Sequence, residues 1–452
     1  MTKEESRPEP IIFSGRDTTR DFLFTPPAAT TEDTNAALDD AAAHDALQQA
    51  FPEVLWAEEF LESTRDQMRQ VTCFGSMIIR RDAAAGSGKT NRDDTSGHIL
   101  EIGRTVDLLC KRENGAWGPL NTDSLACFFP GKNDTDALDL ARDIQASVRG
   151  AISGSVSIGI ASYPTKDYKK SDVFVNARKA LTHASFFGAG SRVLFDAVSL
   201  NISGDEFYQK GDVPGAIAEL KRALKLDPQN VNVLNSLGVC YGVAGELEHA
   251  LEAFRKAIEH DPKEVMAVYN AGYVSGLLTQ TADALTYYQR AEAIDKDVFE
   301  VAFQLGKLYL DQDNAIEAKG YLQKAVRLQP ESWIASFHLG ACCEALNMID
   351  EAVSHYEAAV KKNPTDACAL SALGILYDEK AENPEISALF CEKAVEMSPE
   401  NGLFQFRLGK VYARQKQPDK ALSAFSRAVK LGYPADAELA MTQANLHTDG
   451  DG

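Results

Sequence analysis

The sequence predicts two structured parts, an α/β domain followed by an all-α helical solenoid. Small residues and prolines recur at a spacing of 34 residues through the second half of the chain. In the first half, Ser155–Ser162 combines β-branched residues with glycine, which is typical of a buried strand. The fractions of hydrophobic (44%) and charged (25%) residues are those of a soluble globular protein.

Composition excludes several classes of function. The formal net charge of −20 argues against nucleic acid or an anionic membrane surface as the main partner, since both need a basic face. No apolar run is long enough to span a bilayer, and the first ten residues lack the apolar segment of a secretory signal. The 8 cysteines form no CxxC pair and no zinc-ligand spacing. We therefore expect a cytoplasmic protein with reduced core thiols and no structural metal.

The first 42 residues are rich in Pro, Thr, Asp and Glu and lack periodicity, which predicts a disordered N-terminal tail. Two apolar islands interrupt it, Pro10–Phe13 and Asp21–Phe24. They are either chance hydrophobicity or linear motifs for a partner. As a motif, one island could also occupy the protein's own binding groove and inhibit it.

The α/β domain is expected to occupy residues 43–196. Strands are predicted at 74–80, 117–120, 125–129, 155–162 and 192–195, and helices within 96–112, 134–149 and 171–187. The resulting order, β-α-β-β-α-β-α-β, is that of a ferredoxin-like palm with one added strand.

This order, together with Ser157-Ile-Gly-Ile-Ala161 and the segment from Ala177 to Val193, resembles the GGDEF family of diguanylate cyclases. Asp45–Pro52 is similar to a turn near the start of that domain. The resemblance implies a nucleotide-binding palm that uses two carboxylates and Mg²⁺.

The catalytic positions implied by the resemblance are mostly lost. The signature turn reads Asn121-Thr-Asp-Ser-Leu125, without the two glycines that let the backbone approach the nucleotide. Asp123 remains as one carboxylate, but Arg80 stands at the metal-binding place of the first strand, with Asp82 two residues later. Two-metal chemistry cannot proceed with one carboxylate, so the sequence predicts that the domain is not an enzyme.

A regulatory nucleotide site is an alternative. Arg104 and Asp107 have the RxxD form of the family's inhibitory cyclic-di-GMP site, and Arg104 could bind phosphate or guanine in bidentate fashion. On a helix, however, the same two residues are an ordinary i,i+3 ion pair. With Asp123 they form a candidate site for cyclic-di-GMP or GTP with Mg²⁺.

Two further motifs are expected to be coincidental. Gly204-Asp-Glu-Phe207 falls after the SIGIA strand rather than before it, and its glycine and phenylalanine fit the repeat pattern, which predicts a helix. The segment from Ala83 to Thr90 resembles a phosphate-binding loop. The residues that follow it are polar and lack the apolar pattern of the buried helix that follows such a loop. A flexible insertion is therefore predicted there.

The repeats occupy residues 197–434. One column of the alignment is glycine, the next two are almost entirely alanine, and most units close with a proline that ends the second helix. Because close helix crossings need small side chains, we expect the glycine of each first helix to face the alanine of the second. The columns are Gly204, Gly238, Gly272, Gly306, Gly340, Gly374 and Gly409; Ala216, Ala250, Ala284, Ala318, Ala352, Ser387 and Ala421; and Ala223, Ala257, Ala291, Ala325, Ala359, Ala394 and Ala428.

These columns resemble the tetratricopeptide repeat (TPR) family over about seven units. Residues 435–452 are expected to form a capping helix and a disordered tail. The resemblance implies a protein-binding scaffold, with a peptide lying along the concave face of the first helices. Polar residues such as Asn201, Asp205 and Tyr208 would form the entrance. The ligand-binding positions are predicted to be Asn235, Tyr269, Tyr273, Phe303, Lys307, Phe337 and Phe406.

Aromatic residues dominate these positions and only fragments of a carboxylate clamp are present, which favours an apolar peptide or amphipathic helix as ligand. The sequence thus predicts a bacterial signalling adaptor with an inactive GGDEF-like domain. Alternatives are a receptor that relays cyclic-di-GMP or GTP binding to the repeats, and a residual diguanylate cyclase.

Overall fold

The computed structural model describes residues 39–82, 92–381 and 383–449. The chain divides into two units, residues 1–278 and 279–452. The two apolar islands of the tail and the phosphate-loop-like segment from Ala83 to Thr90 lie outside the described residues. The predicted domain boundaries at residues 43, 197 and 435 stay predictions.

The first unit contains a five-stranded mixed sheet. Its strands are β1 (Phe74–Arg81), β2 (Ala116–Pro119), β3 (Ser124–Pro130), β4 (Val156–Tyr163) and β5 (Arg192–Leu194). The strand order is β2-β3-β1-β4-β5. All neighbours are antiparallel except β4 and β5, which are parallel. The five predicted strands are therefore present, each within two residues of its predicted bounds.

Five helices surround this sheet: α1 (Asp39–Ala50), α2 (Ala57–Gln70), α3 (Arg92–Arg112), α4 (Asp134–Ala151) and α5 (Val173–Ser185). Alternate residues of each strand enter different cores because side chains alternate across a sheet. Met77 and Ile79 pack in one core with residues of α1, α3 and α4. Phe74 and Ile78 pack in the other, with Met68 of α2 and Ala177 of α5. Asp45, expected in a turn, lies within α1.

The repeats continue the second core without a linker. Asp196 accepts a hydrogen bond from the Ser199 amide at 2.8 Å and so caps the N-terminus of α6 (Ala197–Gln209). The remaining helices of this unit are α7 (Val213–Leu226), α8 (Val231–Val243), α9 (Leu247–His260) and α10 (Val265–Leu277). Leu200, Leu220 and Leu237 are buried in the same core as Phe74. The α/β domain and the first repeats are thus one packed body.

The second unit is helical throughout its described residues. The helices are α11 (Thr281–Ile294), α12 (Phe299–Asp311), α13 (Ala315–Leu328), α14 (Trp333–Ala345), α15 (Ile349–Lys362), α16 (Ala367–Glu379), α17 (Pro384–Met397), α18 (Gly402–Arg414), α19 (Pro418–Lys430) and α20 (Asp436–Asp449). From α6 to α19 the helices alternate along the chain as the first and second helix of each repeat, and we call them A helices and B helices. The literal GDEF segment lies in the A helix α6, as predicted. The capping helix is present as α20.

The expected contact between the glycine and alanine columns is only part of the packing, since most of the glycines lie against a larger side chain. A Cβ atom on Gly238 would come within 2.5 Å of the Phe254 ring, and one on Gly340 within 2.8 Å of the Tyr356 ring. A large B-helix side chain, four residues after the alanine column, meets the glycine in five repeats: those of Gly204, Gly238, Gly306, Gly340 and Gly409. Gly374 lies instead against Cys391 and the Ser387 backbone. The alanines are themselves fully buried, which explains why both columns need small residues.

None of the helices that the structure describes is long and apolar enough to cross a lipid bilayer.

Candidate functional site

In the first unit, the predicted ligand-binding residues are mostly buried. Tyr269 is 1% exposed and Asn235 is 5% exposed. The Asn270 side-chain amide donates to Asn235 Oδ1 at 3.0 Å. Tyr273 is only partly buried and its ring stacks on Tyr269, with centroids 6.5 Å apart. Tyr273 therefore has accessible surface, whereas Asn235 and Tyr269 are buried.

A buried carboxyl group lies at the predicted polar entrance. Asp205 of α6 is 7% exposed, and Asn201 donates to its Oδ2 at 3.3 Å. Loss of hydration raises the pKa of Asp205 to about 7, although a hydrogen bond with Ser236 opposes the shift. The group therefore titrates near neutral pH and can lie there in either charge state.

In the second unit, an aromatic row spans two A helices. Phe303 of α12 and Phe337 of α14 stand at equivalent repeat positions, and both are partly buried. The His338 ring lies between them, with centroids 5.3 Å from Phe303 and 5.4 Å from Phe337. Burial lowers the pKa of His338 to about 4, and the charge of Lys307 adds to the shift. The imidazole is therefore neutral and extends the apolar surface.

Sequence reasoning missed His338 because it predicted contacts only from fixed positions within each repeat. Lys307 is exposed, as expected for a residue that could meet a ligand. Phe406 of α18 belongs to a separate aromatic group, in which its ring lies 5.0 Å from Tyr433. The structure therefore brings Phe303, Phe337 and His338 together but places Phe406 in another cluster.

The candidate nucleotide residues each have local partners. Arg104 of α3 pairs with Glu101 rather than with Asp107. Asp107 accepts a hydrogen bond from Trp117 Nε1 at 3.2 Å and pairs with Lys111 at 2.7 Å. Both groups are thus engaged within α3 and its neighbouring strand, and the i,i+3 pair expected between them does not form.

The carboxylates at the end of β1 differ in availability. Asp82 accepts hydrogen bonds from Ser155 Oγ, Ser157 Oγ and the Gly190 amide, each at 2.6 Å. These bonds tie the end of β1 to β4 and to the turn before β5. Asp123 is exposed in the turn between β2 and β3, next to Asn121, whose side chain accepts from two turn amides. One carboxylate is thus committed to the fold and the other faces solvent.

Comparison with known proteins identifies the helical part. A family model described as TPR repeat matches residues 204–242, and models described as tetratricopeptide repeat match 231–264, 303–367 and 375–438. No curated protein matches the chain. None of the matched family ranges reaches the five-stranded sheet.

Several solved structures are similar to parts of the chain. MamA is 29% identical with a TM-score of 0.34, over 36% of this chain and 94% of its own. YrrB, a TPR protein with an unusual peptide-binding site, is 25% identical with a TM-score of 0.37, over 41% and 95%. A tetratricopeptide repeat protein from Parabacteroides merdae is 21% identical with a TM-score of 0.40, over 55% and 98%.

The family matches fall on the A and B helix pairs described above. The chain therefore contains tetratricopeptide repeats.

Proposed function

We propose that this protein is a scaffold that binds an apolar peptide or amphipathic helix of a partner protein on its A-helix face. The observation that carries the proposal is the row formed by Phe303, His338 and Phe337. Three aromatic rings on adjacent A helices, none of them fully buried, offer the kind of surface on which binding energy concentrates. The neutral imidazole keeps the centre of the row uncharged.

Burial of Asn235 supports an apolar ligand over a C-terminal carboxylate. A carboxylate clamp needs accessible amide and cationic groups. Asn235 instead bonds to Asn270 beneath the surface. Lys307 is the exposed cation beside the aromatic row, and it suits an acidic residue that flanks an apolar ligand.

In this proposal the α/β domain has a structural role. Its strand order and directions suit a ferredoxin-like palm related to the GGDEF domain, with β5 added at one edge. Both oxygens of Asp82 are used as hydrogen-bond acceptors, and Arg104 and Asp107 pair elsewhere. We infer that the domain is catalytically inactive and forms a rigid base for the first repeats. The bacterial, cytoplasmic signalling context belongs to the same proposal and depends on the GGDEF resemblance.

The binding proposal is tested with two fluorescein-labelled synthetic peptides of equal length and net charge. One is an amphipathic helix with leucine and phenylalanine on one face; the other has serine at those places. We expect the full chain to bind the first peptide by fluorescence anisotropy. The double variant Phe303→Ala, Phe337→Ala should bind it at least about tenfold more weakly, since aromatic anchors dominate interfaces.

The control is Ile316→Ala, which removes a side chain that is 75% exposed on the B helix α13 and should leave the affinity unchanged. Equal binding of the two peptides, or an unchanged affinity of the double variant, would overturn the proposal.

The α/β domain is tested by calorimetric titration of the full chain with GTP and with cyclic-di-GMP, each with Mg²⁺. We expect no binding heat and no conversion of GTP. Binding without product would replace the adaptor with a nucleotide receptor, and product would show a residual cyclase.

A further inference from the structure

The fifth repeat departs from its neighbours at one pair of positions. In the fourth repeat, Tyr309 and Tyr321 stack with centroids 5.6 Å apart and planes inclined by 11°. In the sixth, Tyr377 and Phe390 stack at the equivalent places, 6.2 Å apart. In the fifth, these places hold Cys343 and His355. An aromatic pair is thus replaced by two side chains that commonly bind metals.

Glu351 is a third potential metal ligand beside Cys343 and His355. Glu351 lies four residues before His355 on α15, so both side chains project from the same face of that helix. Cys343 lies on the adjacent helix α14 and is completely buried. One ligand atom from each of the three residues lies within 4.8 Å of the other two. Metal–ligand bonds of about 2.0–2.3 Å need only a modest contraction of this set.

A cationic side chain already lies beside Glu351 in this group of three residues. Lys319 of α13 places its ammonium 2.7 Å from Glu351 Oε2 and 3.2 Å from Met348 Sδ. Its side chain is 19% exposed, so the long flexible stem can move the charge outward to solvent. The lysine thus neutralises the Glu351 carboxylate.

We propose that Cys343, Glu351 and His355 bind a Zn²⁺ ion, and that Lys319 neutralises the site when the ion is absent. Thiolate and imidazole ligands favour zinc over Mg²⁺ or Ca²⁺, which prefer oxygen ligands. Binding transfers the Cys343 thiol proton to solvent and displaces the Lys319 ammonium from Glu351. Three protein ligands leave the fourth position to water.

The test is competition of the metal-free full chain with a chromophoric chelator for Zn²⁺, with Co²⁺ as a spectroscopic probe. We expect one site, and a thiolate-to-cobalt absorption band that is absent in Cys343→Ser. Cys343→Ser and His355→Asn should each weaken Zn²⁺ binding at least about tenfold. Lys319→Gln should strengthen it, because the competing cation is gone.

The decisive variant is Cys343→Tyr with His355→Tyr, which restores the aromatic pair of the fourth repeat. It should stay folded by circular dichroism and lose zinc binding. The controls are Cys391→Ser, a buried thiol of α17, and Glu317→Gln, the equivalent of Glu351 in the fourth repeat; both should bind zinc as the parent protein does. Zinc binding retained by the double tyrosine variant would overturn the proposal, as would absence of binding in both the parent protein and Lys319→Gln.

Discussion

Lys179 of α5 forms an ion pair with Glu219 of α7, and the two side chains are 16% and 4% exposed. Ser203 of α6 donates a second hydrogen bond to Glu219 at 3.0 Å. The pair therefore joins the α/β domain to the first repeat inside their shared core. Lys166 adds a surface link, since its ammonium donates to the Leu226 carbonyl at the end of α7, at 2.7 Å.

Removal of one partner of this pair should destabilise the whole first unit. Lys179→Met leaves Glu219 buried with only Arg222, 3.4 Å away, as a countercharge. Loss of a partner from a buried pair costs about 3–5 kcal/mol, and we expect roughly the lower end because Arg222 remains. Urea unfolding of the full chain, followed by near-ultraviolet circular dichroism, measures this change.

Lys225→Met is the matched control. Lys225 also joins α7 to the α/β domain, but its side chain is 65% exposed and lies 3.8 Å from Asp167. Surface pairs contribute about 0–1 kcal/mol, so its loss should be small. Equal effects of the two variants would contradict a special role for the buried pair.

The raised pKa of Asp205 predicts that the contribution of this carboxyl group to the free energy of unfolding decreases as the pH rises. Its folded-state pKa of about 7 lies above the ordinary value of 3.8, so the folded state binds the proton more tightly than the unfolded state does. The contribution to stability is therefore complete below about pH 4 and is lost as the pH rises to about 7. Each pKa unit corresponds to about 1.4 kcal/mol, which limits the effect to roughly 4 kcal/mol.

Asp205→Asn should remove this dependence, since the amide is isosteric and carries no charge. We expect the variant to be more stable than the parent protein at pH 8 by at least about 2 kcal/mol and equal to it near pH 4. Asp139→Asn, at a side chain that is 59% exposed, provides the control. Parallel pH profiles for the parent protein and Asp205→Asn would show that Asp205 has an ordinary pKa.

Gly159 sets the distance between β4 and α5. A Cβ atom at this position would lie 2.0 Å from the Ala177 carbonyl oxygen and 2.2 Å from the Leu181 amide nitrogen. These are backbone atoms, so relief of the clash requires the helix to move. We expect Gly159→Ala to lower the free energy of unfolding by about 3 kcal/mol or more.

Gly150→Ala adds the same methyl group in α4, where the new Cβ atom would meet no neighbouring side chain or packed element within 4 Å. Because alanine favours a helix over glycine, this variant should be neutral or slightly stabilising, by up to about 1 kcal/mol. Thermal unfolding of both variants compares the two sites directly.

The repeat pattern predicted the positions of the helices but only some of their side-chain contacts. Spacing located the two helices of each of the seven repeats, because the 34-residue period is present in the sequence itself. It could not reveal that Gly238 faces Phe254 rather than an alanine, since that contact depends on the crossing of two helices. For the same reason it placed Tyr269 and Asn235 on an open face, although close packing buries both.

The cysteine pattern gave no sign of the proposed zinc site. Absence of CxxC pairs argued against metal binding, yet Cys343, Glu351 and His355 converge from two helices. Their spacings of eight and four residues match none of the usual zinc motifs. Comparison of equivalent positions between repeats was the signal that could have found them.

Substitution of Asp82 and of Asp123 distinguishes a carboxylate that stabilises the fold from one that binds a metal. The three hydrogen bonds that Asp82 accepts join β1 to β4 and the β5 turn, so Asp82→Ala should destabilise the protein by about 2 kcal/mol. Asp123 is exposed, and Asp123→Ala should change stability by less than about 0.5 kcal/mol. Thermal unfolding with and without Mg²⁺ measures both. If Asp82 only stabilises the fold, Mg²⁺ should leave the melting temperature of the parent protein unchanged. A melting temperature that Mg²⁺ raises in the parent protein but not in Asp123→Ala would instead mean that the two carboxylates bind a metal.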